Sequence, residues 1–255
     1  MSLGEQLSST GVMHDMQKNG LELAVVTNIK DPQTLGRIKC RPITEDNGVA
    51  ETDWCFVMAP AGGNGYGSFF FPNVDDLVVL GYLSGDVHHP IVLGSYWAND
   101  IAPPYKIEDG KNEVISAKTP TGSEIKFDDV KDKQKITVTT PSGAVILIDD
   151  EAKTLTVKGN DDNKMTVKWE DGEIELKSKT KLTLSAGDTS IVLESSGKIE
   201  GKASQKISFE ASDIELTGKS SINADGAMVS VNSKGELKLT ASGNTTVKGT
   251  LVQIN

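Results

Sequence analysis

The sequence predicts an all-β chain: a small closed barrel, a stretch of β-hairpins, and a narrow β-helix, or β-prism, needle built by three intertwined chains. Three observations point there. Composition changes abruptly near residue 110, the next seventy residues repeat a turn-containing unit, and the last seventy-five carry apolar positions every seven to nine residues. Domain bounds follow as 1–19, an N-terminal arm; 20–105, the barrel; 106–180, the hairpin neck; and 181–255, the needle.

Composition separates the first part from the rest. Of the 255 residues, the first 110 hold ten of the thirteen aromatic side chains, both arginines (Arg37, Arg41) and all three histidines (His14, His88, His89). They also carry 14 acids against 6 bases, which is most of the net charge of −10. Within the arm, residues 5–18 read equally as a short helix or a flexible segment. From Leu21 the residues are β-branched and alternate, with Pro and Gly at the boundaries. Strand-like runs lie at 21–29, 37–40, 54–58, 69–71, 77–83 and 91–93, and no run has a helical period. Several short strands separated by Gly-rich turns close most economically as a barrel. Cys40 and Cys55 stand in apolar runs and read as buried free thiols, since two cysteines are too few for a disulfide framework.

In the neck, TPTGSEIKFDD (119–129) recurs as TPSGAVILIDD (140–150), and each copy is followed by an alternating run, which predicts tandem β-hairpins. In the needle, apolar strand starts fall at Leu182, Ile191, Ile199, Ile207, Ile214, Ile222, Val229 and Leu237. A unit of about eight residues offers one three-residue strand with one inward face, and it cannot bury that face alone. Three chains winding together cover every such face and leave no free edge. These eight residues are therefore the expected trimer core. A single chain coiling through three sides, a carbohydrate-binding or adhesin-like solenoid, is the alternative.

Several sharper readings fail on their residues. His88-His89 lack a completing ligand set beyond Asp86, and Pro90 ends a turn there. The run Gly62 to Gly67 lacks the Lys-Ser/Thr and helix of a phosphate cradle, and Gly218-Lys219-Ser220 lacks the leading Gly. The pairs Asp128-Asp129, Asp149-Asp150 and Asp161-Asp162 sit at hairpin ends, where Asp satisfies turn backbone. No acid/base cleft of a polysaccharide-cleaving β-helix is gathered by sequence. Phe69, Phe70, Tyr82 and Trp97 offer rings to a nucleic-acid strand, but the acidic balance opposes binding. No catalytic residue, metal site, cofactor or nucleic-acid partner is expected.

The barrel residues carry a resemblance. Leu35-Gly36-Arg37-Ile38-Lys39-Cys40, Thr52-Asp53-Trp54-Cys55, Met58 to Gly67, Phe71-Pro72-Asn73-Val74-Asp75-Asp76 and Gly85 to Ser95 resemble the OB-fold (oligonucleotide-fold) barrel of phage baseplate assembly protein V and of central tail spikes. The same barrel occurs in the valine-glycine-repeat protein G of type VI secretion. Thr240 to Asn244 and Val247 to Asn255 are similar to the trimeric β-helix of those spikes. The resemblance implies a non-enzymatic homotrimeric central spike of a contractile injection system, a virion component or tailocin part with a membrane-puncturing role. It implies a hub protein at the barrel end, and a small PAAR-like tip protein on Leu251, Val252, Gln253, Ile254 and Asn255. Contact with the target membrane would be transient. Synthesis in the cytoplasm without a signal peptide is the matching expectation, as MSLGEQLSST lacks a basic patch and an apolar stretch. The lysozyme domain and fused hub domains of some relatives are not expected in this chain. No histidine follows His89, so the iron-binding tip of some spikes is not expected.

Overall fold

The computed structural model describes residues 18, 20–43, 51–98, 101–160 and 162–254. The arm, residues 1–17 and 19, His14, Asp161 and Asn255 lie outside the described residues. The chain divides into two units, 1–178 and 179–255. Among the described residues the only helical element is one 3-10 turn, Leu83–Gly85.

Strands β1 (Leu21–Asn28), β2 (Arg37–Pro42), β3 (Cys55–Val57), β6 (Leu77–Tyr82) and β7 (Pro90–Ser95) close a barrel in the order β1-β2-β3-β7-β6. All neighbours are antiparallel except β3 and β7, which run parallel with Phe56 opposite Ile91. Alternation decides what faces inward. Ala24, Val26, Ile38, Cys40, Cys55, Val78, Leu80 and Val92 form the core, each at most 1% exposed, with Val57 and Phe71 packed against it. The turn from β1 to β2 is held by Asp31, which accepts from the Gln33 and Leu35 amides and takes the Arg37 guanidinium on both oxygens at 2.8 and 3.0 Å. The guanidinium, with these amides, holds the Asp31 carboxyl well below the usual carboxylate range. Cys40 and Cys55 are free and buried; the hydrogen bond with Cys55, then burial, pushes the Cys40 thiol up.

The expected strand at 69–71 is not one. The glycine run instead makes a two-residue-per-arm hairpin, β4 (Gly62–Gly63) and β5 (Tyr66–Gly67), because the Tyr66 ring occupies the space a Cβ on Gly63 would need. Phe69 then stacks on Phe71 with centroids 5.4 Å apart instead of joining a ladder.

After a connecting segment, seven strands form an antiparallel meander: β8 (Val114–Lys118), β9 (Glu124–Asp128), β10 (Lys135–Thr139), β11 (Val145–Asp149), β12 (Thr154–Asn160), β13 (Asn163–Lys168) and β14 (Glu173–Lys177). The sequence repeat is a repeat of turn geometry. Thr119 Oγ1 accepts from the Ser123 amide at 3.0 Å and Thr140 Oγ1 from the Ala144 amide at 3.2 Å. Gly122 and Gly143 both take left-handed φ, 97° and 89°, as a tight hairpin connection requires. In the second unit, β15 (Lys181–Ala186), β16 (Thr189–Glu194) and β17 (Ile199–Lys202) make a three-stranded antiparallel sheet. From residue 204 to 254 every residue is exposed and none belongs to a strand.

Candidate functional site

The seven-stranded sheet has two chemically opposite faces, because each strand alternates and every register is in phase. One row reads Ile115, Phe127, Ile136, Ile148, Leu155, Val167, Ile174 from β8 to β14. The neighbouring row reads Ala117, Ile125, Val138, Ile146, Val157, Met165, Leu176. Both rows are unbroken, with no charge or hydroxyl on the face. Yet the face is open: Ile125 is 47% exposed, Ile136 39% and Ile148 39%. The apolar surface continues at one corner, where Phe69, Phe70 and Phe71 line a hollow together with Ala117, Ile125 and Val138.

The opposite face is polar and satisfied within the chain. Lys135 pairs with Asp149 at 2.7 Å, Lys126 with Asp128 at 2.9 Å, Lys164 with Glu175 at 3.1 Å and Lys168 with Glu173 at 2.7 Å. Lys135, then the Ala152 amide, holds the Asp149 carboxyl below its usual range. Tyr105 fastens the connecting segment to this same face: its hydroxyl donates to Glu124 at 2.5 Å, and the carboxylate, with burial, pushes the phenol up to about 12. The side left uncovered is thus the apolar one, the reverse of what water favours for a finished surface.

The second unit repeats the problem. Leu182, Leu193 and Ile199 form one cross-strand row and Leu184 with Ile191 the next, all on one face of the small sheet. Three of the eight expected core positions, Leu182, Ile191 and Ile199, are therefore together on that face, in strands of four to six residues rather than three. The other five lie beyond it: Ile207 (55% exposed), Ile214 (56%), Ile222 (63%), Val229 (59%) and Leu237 (55%). Among the described residues, 203–254 make no backbone-to-backbone hydrogen bond with their own chain. A row of aliphatic side chains on an unpaired extended backbone is stable only if something else supplies both ladder and cover. The accessible surface of the chain is 21102 Å², about twice the roughly 11,000 Å² expected of a folded monomer of this mass. Leu251, Val252, Gln253 and Ile254 are exposed at the end of this segment; Asn255 lies outside the described residues.

The fourteen-residue face of the neck sheet was not among the residues singled out from sequence. Its signal was present in the alternation of EIKFD, KITVT, VILID and TLTVK, but alternation alone does not say that the apolar side stays open. His88 and His89 are each engaged by a carboxylate, Asp53 at 2.8 Å and Asp86 at 2.7 Å. The described residues hold no group of three or more His, Cys, Asp or Glu placed to bind a metal ion.

Residues 22–97, the barrel, match the family model described as the type VI secretion system/phage-baseplate injector OB domain. The actin cross-linking toxin VgrG1 of Vibrio cholerae serotype O1 is 28% identical to this chain over 145 residues, covering 54% of this chain and 13% of its own length.

Proposed function

We propose, from the match of its barrel to the type VI secretion/phage-baseplate injector OB domain, that the chain is the non-enzymatic, homotrimeric central spike of a contractile injection system. The observation that carries the trimer is the open apolar face with its unpaired continuation: both need cover of their own chemistry, and identical copies supply it. Three barrels form the base, docked on a separate hub protein at the end of the tail tube. The neck sheets turn their apolar faces to a common axis. Residues 203–254 of the three chains wind around one another, each chain giving the others the ladder it lacks.

Mechanics then supply the function. Sheath contraction drives the tube forward, and a narrow rod concentrates that thrust on a small area of the target envelope. The rod resists buckling because no strand can peel away without breaking ladders to two other chains. Leu251 to Asn255 form the platform for a small PAAR-like tip protein, and the protein works as a component of a virion or injection particle, touching the target membrane only in passage. Light scattering of the purified chain tests this. A mass three times 27.2 kDa is expected, and a monomer at micromolar concentration overturns the trimer.

A further inference from the structure

We infer that the apolar face of the seven-stranded sheet is where three copies first meet and is what sets their register, the needle winding only afterwards; this rests on the trimer reading above.

The order follows from where each segment finds its hydrogen bonds. In the meander β8 to β14 every ladder joins strands consecutive in sequence, through short turns, and closes within one chain. Such local antiparallel pairing is the kind that forms quickly and without a partner. The finished sheet lacks only cover for one face. Residues 203–254 are the opposite case: among the described residues they make no backbone-to-backbone hydrogen bond in their own chain, so they gain ladders only after other chains are already beside them.

Register points the same way. Ile207, Ile214, Ile222, Val229 and Leu237 recur every seven or eight residues, so a chain slipped by one unit still turns an aliphatic residue inward at nearly every level. Such a repeat specifies its register weakly. The neck face is not degenerate. A slip of one strand reverses strand direction, and it sets Phe127 against positions now filled by Ile115 or Ile136 while moving Ala117 and Met165 out of place. The neck face thus distinguishes registers that the repeat of the later segment does not.

The occupant is a second and third copy because the face is apolar from edge to edge and its charges are already neutralised on the far side. Six strand spacings of about 4.8 Å and strands of about 17 Å give a face of roughly 500 Å² in projection, as large as the biggest apolar patch an ordinary monomer tolerates. A self-complementary surface around a closed rotation axis covers all three at once.

The test uses the full chain refolded by dilution from denaturant, with mass by light scattering, β-content by circular dichroism and trypsin cleavage at Lys219 and Lys234. Ile136→Glu, placing a charge on the central strand of the face, is expected to give a monomer with the sheet signal retained. Ile222→Glu is expected to give trimers whose needles are cut at least tenfold faster than wild type. A trimer from Ile136→Glu, or a monomer from Ile222→Glu, overturns the inference. If Ile136→Glu fails to fold, Ile136→Thr and Ile222→Thr replace the pair: trimer formation should slow at least tenfold in the first and less than twofold in the second, and the reverse order overturns it. A monomeric wild type would refute the trimer itself rather than the order of assembly.

Discussion

Truncating Ile148 to alanine tests the proposed interface most directly. The side chain stands in the middle of the sheet, between Ile136 and Leu155, and is 39% exposed in the single chain. Burying an Ile completely is worth about 1.5 to 3 kcal/mol, so the part still open is worth about 0.6 to 1.2 kcal/mol per chain on assembly. In the proposed trimer three copies contribute, which brings the loss to about 2 to 3.5 kcal/mol and the three-body dissociation constant up by about 20- to 300-fold. The concentration of half-assembly varies as the square root of that constant, so it should rise about 5- to 20-fold. The assay is sedimentation at a fixed guanidinium concentration where trimers and monomers of the wild type coexist. Leu147→Ala is the control, since Leu147 is the adjacent residue on the polar face, paired with Thr137 and Thr156. Equal shifts for the two variants would refute the assignment of the interface, whatever their size.

Three further outcomes are expected. Leu80→Ala empties a fully buried position in a barrel core of eight residues and should cost about 3 to 5 kcal/mol, read as an earlier thermal transition by Trp54 fluorescence with the trimer mass unchanged. Gly143→Ala forces a side chain into φ 89° and should destabilise the β10–β11 hairpin by about 1 to 2 kcal/mol, measured as faster amide exchange at Thr140 and Ala144. The depressed Asp31 carboxyl is ionised in the folded barrel and has an ordinary affinity for protons when unfolded, so its contribution is present above about pH 4 and is lost as the pH falls further. Denaturation midpoints at pH 3 and pH 6 should therefore differ less in Asp31→Asn than in wild type, and an unchanged difference would show that Arg37 and the turn amides do not act through this charge.

How much of this was written in the sequence depends on the range of the interactions involved. Alternation and turn chemistry act over two to five residues, and so the TPTGS and TPSGA hairpins, most strands of the barrel and the burial of Cys40 and Cys55 were legible from order alone. The Gly62 to Phe71 segment was not: the predicted strand gave way to a stacked pair of rings and a two-residue hairpin, because Tyr66 lying over Gly63 is a contact that alternation does not encode.

The sequence by itself determined which residues are apolar at each step of 106–255, and therefore that each strand of the neck has one side that must leave water. Only the tertiary structure decided that the strands of the neck line up without a phase slip, so that fourteen apolar side chains from seven strands merge into a single open face. Local pattern fixes the alternation of a strand, but the register between strands is set by turn lengths and cross-strand pairing. That is why the spacing of aliphatic residues in 181–255 could be read from order alone, while the open face of the seven-stranded sheet became visible only once the chain was folded.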